Sequence, residues 1–446
     1  MVAILVAALA VLQLAAAAAL PHHHRHPRAG HAPRAPDDSF HGVTLPLLCY
    51  DDRISDPSYR MLSTKLPSIL DRAIQISSHS WEVGTLTQAL LEVYNPRLAP
   101  FAYSDAAFHG ALGGKIRVPT APLEAASVAA KFLAAYDFSS APSESGDLNS
   151  LLEGGSPRAL VDGGGSLGDP CSLGPAAWLL AHFADAIGDD VGTPLATDTQ
   201  YAWAVGNQLA YLQQGPRSDN GTISHREDKF EIWADQGYMI PPFLAYLGLT
   251  TNNTALLEQA LDQWLLTSSA LLDTNHNLYR HLNTFDTRFW ATGNGWMLAG
   301  LMRVLASIKA AGGAGLGSKV AEAEDIAARV FQSLFNRLDD SDRLPNYMEE
   351  TDPSLTHADS AGTTAVVGAF YRFLVLRPDL ARGMKPAAER AFSGVVNKVD
   401  GEAWLTAVVD PQGTNGFLVY PGQDTRSPEG QSLLAIMWAA RTAASQ

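Results

Sequence analysis

The sequence predicts an all-α protein, an (α/α)6 barrel of six helical hairpins, on three observations. From residue 60 onward, helical patterns follow one another with turn signals between them and no sustained strand alternation. About twelve helices are expected, near 60–76, 79–94, 122–136, 172–187, 198–214, 236–248, 255–272, 292–310, 319–337, 360–375, 384–397 and 427–444. Every second helix opens on one kind of sequence: HSWEVG, GDPCSLG, IWADQG, WATGNGW, HADSAG and RSPEGQ. These carry Gly84, Gly174, Gly237, Gly295, Gly362 and Gly430, about 58 to 90 residues apart, a repeat of hairpins. Finally, polar residues gather at one end of the alternate helices only, which an open solenoid does not explain.

In chain order, the apolar stretch MVAILVAALAVLQLAAAAAL (1–20) reads as a secretory signal with a small-residue cleavage site near Ala19. Residues 21–59 form an N-terminal arm, partly disordered, opening on HHHRHPRAGHAPRAP. The barrel is expected over 60–446. Leu173, Ala177, Leu180, Ala184 and Ile187 step by four and three, as one buried helix face does. Glu258, Asp262, Lys319 and Glu322 mark wetter faces on other helices. The glycine-opened helices form the inner ring, with their N-termini at one pole, where glycine admits close approach of backbone or ligand. The more amphipathic helices form the outer layer.

The net charge of −15 argues against nucleic acid and anionic membrane surfaces as partners. No second apolar run reaches membrane-spanning length, so a secreted, extracellular protein is expected. Asn220-Gly-Thr and Asn252-Asn-Thr are glycosylation acceptors in such a pathway. Two cysteines, Cys49 and Cys171, are too few for a disulfide scaffold or a structural zinc site. They allow one bridge, pinning the arm across the rim of the barrel, or two free thiols. No cofactor is expected, and without His-Glu-x-x-His or similar spacing, no catalytic metal. GGGS at 163–166 lacks the Lys-Ser/Thr of a phosphate loop.

The pole collects Glu82, Asp169, Asp235, Asn294, Asp359 and Glu429. An acid near a helix N-terminus is commonly a cap, worth about 0.3–1 kcal/mol from the helix dipole. That reading, or a supporting role behind the residues that meet the ligand, suits Asp359 and Glu429. Asp235 and Asp169 instead follow loops rich in aromatic, Gly or Pro residues and precede apolar helices. A carboxyl walled by Trp233 and Tyr238 has its ionised form disfavoured, as a general acid requires. Trp81, Trp233, Trp290 and Trp296 belong to the same pole, and aromatic faces pack on pyranose rings; part of this set is expected to be core. His225 and His281 precede inner helices and are candidates to line the cavity. His357 lies on a third loop.

The segments HREDKFEIWADQGYMIPPFLAYLG, LYRHLNTFDTRFWATGNGW, HADSAGTTAVVGAF and SPEGQSLLAIMWAA resemble the unsaturated uronyl hydrolases, glycoside hydrolase families 88 and 105, and family 105 more closely. The resemblance covers about residues 75 to 444 and implies an (α/α)6 barrel. It also implies an oligosaccharide substrate left by a polysaccharide lyase (pectin or rhamnogalacturonan type), ending in a 4,5-unsaturated uronic acid. The implied reaction is hydration of the vinyl ether. By the resemblance, Asp235 protonates C4 and helps water add at C5, and Asp169 holds sugar hydroxyls and assists it. Family members often carry Arg where Thr292 stands. Arg288, Arg226 or Arg426 are the candidates to meet a uronate in its stead, beside helix N-termini; the alternative is that Arg288 and Arg426 pair with loop acids such as Asp286 and Asp424. Asn294 is a further substrate-binding candidate.

Two other functions fit the same residues. One is a glycosidase on saturated sugars with an Asp235/Asp169 acid–base pair. The other is a non-catalytic carbohydrate-binding protein. An isomerase on a similar barrel needs a histidine pair on inner helices, which the sequence does not show.

Overall fold

Twelve stretches that the chain can both start and bury become its principal helices. The computed structural model describes residues 54–108, 124–142, 148–187, 195–409 and 425–445. The chain divides into Met1–Asp38 and Ser39–Gln446, and all described residues belong to the second unit. The helices are α1 (Pro57–Ile76), α2 (Ser80–Tyr94), α3 (Glu124–Leu133), α4 (Gly174–Ile187), α5 (Asp198–Gln214), α6 (Gln236–Thr250), α7 (Thr254–Leu271), α8 (Ala291–Ala310), α9 (Gly317–Phe335), α10 (Ser360–Leu376), α11 (Lys385–Val396) and α12 (Pro428–Ala443). Their starts are chemically marked. Asp56, Asn253, Asp359 and Ser427 accept first-turn amide hydrogens of α1, α7, α10 and α12, and Thr197 opens α5 with a capping box.

The even-numbered helices form the inner ring. Each packs on the next, and α12 returns to α2. The odd-numbered helices lie outside: α1 against α12, α3 against α2 and α4, α5 against α4, and α7 against α6. Burial follows this division. All of α6 is buried, whereas α9 buries a face of Ala323, Ala327, Val330, Phe331 and Leu334. The fold is the (α/α)6 barrel.

The opening glycines close the ring. A Cβ on Gly84 would stand 2.2 Å from Ser172 Oγ, just ahead of α4, and one on Gly295 would stand 2.5 Å from Ala365 Cβ on α10. What approaches these glycines is the neighbouring inner helix rather than a ligand. Because the contacts join first turns to first turns, the inner N-termini share one pole.

Three two-residue strand pairs lie between the helices: Leu272–Asp273 with Leu278–Tyr279, Phe289–Trp290 with Tyr347–Met348, and Leu344–Pro345 with Ala358–Asp359. The second ties the loop before α8 to the loop before α10. No helix among the described residues is long and apolar enough to cross a membrane.

Candidate active site

Three loops at the N-terminal pole are laced together by backbone hydrogen bonds. Leu167 N donates to His225 O at 2.8 Å, Ala234 N to His281 O at 2.8 Å, and His281 N to Arg288 O at 2.9 Å. Gln236, in the first turn of α6, donates through Nε2 to Ile223 O and to Thr267 Oγ1, both at 3.0 Å. That clamp sets the loop carrying Trp233 and Asp235 against the outer helix α7. Asp235 is the residue before α6, so its carboxyl projects from a fixed helix end.

The result is two carboxyl–histidine pairs with a tryptophan between them. Asp235 Oδ2 is 3.7 Å from His281 Nε2, and Asp169 Oδ1 is 3.8 Å from His225 Nε2. Trp233 stacks on His225 at 4.6 Å and meets His281 edge-on at 6.1 Å. Exposed Phe285 stands edge-on to the same indole at 6.2 Å. Both carboxyls keep a little access to solvent, 21% for Asp235 and 15% for Asp169, over histidines that are closed off. Asp235 Oδ2 is buried without a hydrogen-bond partner among the described residues.

His281 continues into a chain of polar groups. Its Nδ1 is 2.9 Å from Asp286 Oδ2, which also accepts from Tyr347 OH at 2.8 Å. Arg288 Nε donates to Asp286 Oδ1 at 2.6 Å, and its guanidinium lies 4.0 Å over the Tyr347 ring. Sequence reasoning treats Asp286 only as a mate for Arg288 and misses Tyr347. The signal for Asp286 is its place five residues after His281 in a short, aromatic-rich loop.

Burial decides the protonation states here. It raises the Asp235 carboxyl above the ordinary range, opposed by the nearby His281. Asp169 is pushed up to about 7, first by burial and then by the charge of Asp235. His225 is pushed down to about 3 by burial, then by Arg226 and His281, so it is neutral at neutral pH. Asp286 goes the other way: hydrogen bonds from His281 and Arg288 outweigh burial and hold it well below the carboxylate range. A carboxyl whose ionised form burial disfavours, and which keeps some access to the barrel mouth, is equipped to be a general acid.

Across the pole, Trp81 stacks on His79 at 4.5 Å and donates through Nε1 to Glu429 Oε1 at 2.7 Å. Glu429 is not a simple cap: it also accepts from Ser427 Oγ, and burial followed by the charge of Glu82 pushes it up to about 7. Glu82 accepts the amide hydrogens of Ser78 and His79 at the start of α2. Asp359 caps α10, accepting from the amides of Ala361 and Gly362.

Several expected site residues are placed elsewhere. Asn294 is fully buried and spends its amide on Tyr279 N, Tyr279 O and Trp290 O, so it pins backbone rather than sugar. Trp296 packs on Tyr238 at 4.6 Å inside the barrel and belongs to the core. Trp290 is buried, with Nε1 on Asn346 Oδ1 and its face against His281, so it supports that histidine from behind. Arg288 is committed to Asp286, and Arg426 lies 4.9 Å over the Trp404 ring. Arg226 pairs with Asp228 and reaches Gly164 O. His357 is half-buried at the strand edge before α10. Thr292 donates to Asp359 Oδ2 at 2.9 Å, which ties α8 to the cap of α10. Cys171 is a buried free thiol, hydrogen-bonded to Leu167 O and Gln208; Cys49 and Asp424 lie outside the described residues. Among the described residues, no group of three or more His, Cys, Asp or Glu side chains is placed to hold a metal ion.

A ring of six hairpins with buried acids at its N-terminal pole defines the class, a six-hairpin carbohydrate-active barrel. The sequence model of Glycosyl Hydrolase Family 88 matches residues 194–444, and the chain belongs to that family of glycoside hydrolases. Solved structures share the fold at low identity. A possible family 105 member from Salmonella enterica serovar Paratyphi A aligns with a TM-score of 0.59 at 15% identity, over 91% of this chain and 99% of that one. The family 105 glycoside hydrolase of C. acetobutylicum gives 0.57 at 14%, over 86% and 99%. The unsaturated glucuronyl hydrolase of Bacillus sp. GL1, described as responsible for glycosaminoglycan degradation, gives 0.53 at 13%, over 85% and 96%. No curated protein sequence matches this chain.

Proposed function

We propose that this enzyme removes a 4,5-unsaturated uronic acid from the non-reducing end of lyase-generated oligosaccharides by hydrating the vinyl ether. The observation that carries this is Asp235: a carboxyl with a raised pKa, partly open to the barrel mouth, whose inner oxygen has no hydrogen-bond partner among the described residues, in a family 88 chain. Asp235 gives its proton to C4, the positive charge at C5 is shared with the ring oxygen, and water adds there. The hemiketal then opens and the glycosidic bond is lost. Asp169, neutral for part of the time near pH 7, donates to or accepts from sugar hydroxyls beside it. Trp233 and Phe285 offer apolar faces for the rings.

Incubation with oligosaccharides made by a pectin or rhamnogalacturonan lyase tests the reading. Loss of the ultraviolet absorbance of the conjugated uronate, with release of the shortened sugar, is expected. No loss across glucuronyl and galacturonyl ends rejects it. Thr292 favours a second reading. Where family members often carry Arg, its hydroxyl is bound to Asp359, which suits a neutral sugar and a glycosidase using Asp235 and Asp169 as acid and base. Cleavage of saturated but not unsaturated ends selects it.

We further propose that the chain is exported. The apolar first twenty residues support this, as does the exposure of both acceptor asparagines, Asn220 and Asn252. N-terminal sequencing of the natural product, with cleavage near Ala19 expected, decides it.

A further inference from the structure

Asp286 is a buried carboxyl of the pole whose partners are all side chains. Its two oxygens face His281 Nδ1, Tyr347 OH and Arg288 Nε. An ionised carboxylate has only acceptors, so His281 Nδ1 must carry hydrogen. The other ring nitrogen, Nε2, then faces Asp235 Oδ2 at 3.7 Å. Trp290 packs on the His281 ring at 4.6 Å and Trp233 closes its edge, so the ring cannot turn over without displacing both.

We propose that Asp286 is a positioning residue that fixes His281 in its Nδ1–H form, so that the Nε2 lone pair faces Asp235 and the Asp235–His281 pair carries the single proton that Asp235 delivers to substrate. This rests on the reading of Asp235 as the acid. With the proton on Asp235, Nε2 offers a lone pair; with it on Nε2, an imidazolium lies between two carboxylates. In the chemical step the O–H bond of the Asp235 carboxyl breaks at its solvent-accessible side and the C4=C5 electron pair forms the C4–H bond. Water then bonds to C5, and its proton returns to the Asp235–His281 pair. No other reagent is consumed. Among the described residues, the other charged or titratable groups that face this chain include Arg288 and Tyr347 on Asp286, His225 toward His281, Asp169 toward Asp235, and Arg226 beyond His225 and Asp169.

The prediction separates from mere structural support. Asp286→Asn permits the other tautomer, with hydrogen on Nε2. In a Ser-His-Asp triad the analogous change lowers kcat by roughly 10⁴ through the wrong tautomer. We expect kcat to fall roughly 10²–10⁴-fold, with KM changed less than about threefold. Losing a negative neighbour also moves the alkaline limb of kcat to lower pH. Tyr347→Phe, which removes one bond and leaves Asp286 ionised with its charge less dispersed, should change kcat at most a few-fold and move the limb slightly the other way, to higher pH.

Nitrogen-15 NMR of histidine-labelled protein reads the proton directly and needs no substrate. Intact enzyme should show His281 protonated at Nδ1, with Nε2 shifting as Asp235 titrates; Asp235→Asn should abolish that shift. Absence of vinyl-ether turnover in the unsubstituted enzyme would reject the proposed function while leaving this measurement decisive. The inference is overturned if His281 carries hydrogen on Nε2 alone, if its Nε2 signal is indifferent to Asp235→Asn, or if Asp286→Asn keeps the Nδ1 proton. Unchanged kcat in Asp286→Asn together with Tyr347→Phe overturns it as well.

Discussion

Glu92 and Asp235 are both carboxyls inside the barrel. Glu92, near the end of α2, meets Arg372 Nη2 of α10 at 2.6 Å and Gln88 Nε2 at 2.7 Å, deep on the barrel axis. Glu92 and Arg372, with Tyr238, Arg303, Thr364 and Leu433, line one pocket. At the pole, Asp235 faces a histidine at 3.7 Å and Asp169 faces another at 3.8 Å, and among the described residues neither makes an ion pair with an Arg or Lys. In the interior the carboxyl is matched by a guanidinium and is fixed. At the pole burial is not compensated, and the proton becomes the counter-charge. A carboxyl inside the barrel is a strut where it is paired and, on the proposed function, a reagent where it is not.

Breaking the contrast at its strongest point means Asp235→Asn. Turnover should fall by roughly 10²–10⁴-fold, while the melting temperature holds or rises, since a buried ionisable group is replaced by a neutral one of equal size. Side-by-side kinetics and calorimetry check this; near-normal kcat in a folded variant removes Asp235 from the chemistry. The mirror experiment is Arg372→Met. Leaving Glu92 unpaired should cost about 3–5 kcal/mol, read by denaturant unfolding, with kcat per folded molecule preserved.

A third test uses pH. Asp169 and Glu429 are each raised, from 3.8 and 4.5, to about 7. The folded state binds these protons more tightly than the unfolded one. Their contribution to stability is therefore full below the unfolded values, falls as pH rises toward about 7, and is level above that. Asp286 acts oppositely and is lost only in strong acid. Melting curves of Asp169→Asn and Glu429→Gln should be flatter between pH 4 and 7 than those of the unsubstituted protein. An unchanged slope would mean that neither acid is raised. The smallest effect is expected at Trp81→Phe, which keeps the ring on His79 and loses the bond to Glu429. The apparent affinity for oligosaccharide should weaken by less than about tenfold, about the loss of one good hydrogen bond; a larger loss would make Trp81 a principal sugar platform.

The helices were legible because inner and outer rings bury different fractions of their surface. Leu173 through Ile187 shows its face by spacing alone, and Gly84 through Gly430 repeat because each must let a neighbouring helix pass. Asp359 as a cap was legible from local chemistry. Trp296 and Asn294 were misplaced because they share a segment with the crown but point down the axis or back at their own loop, a distinction of helix phase within one turn. Tyr347 was invisible because its partner Asp286 is 61 residues away and joins it through strands only two residues long. Such pairs are too short to leave an alternating pattern.

Pro241 and Pro242 sit inside α6, and Pro241 supplies no amide hydrogen for the Gly237 carbonyl one turn below. That carbonyl lies against Gly300 of α8, where a Cβ would fall 1.9 Å from the oxygen. Two inner helices thus touch backbone to backbone just beneath Asp235. For laboratory evolution this makes Gly300 a tuning screw. A methyl group there meets the backbone of Gly237 and Tyr238, so it must wedge α6 away from α8 and tilt the carboxyl that α6 carries. Libraries that randomise only the residues facing the sugar would miss the position through which the aim of Asp235 is adjusted.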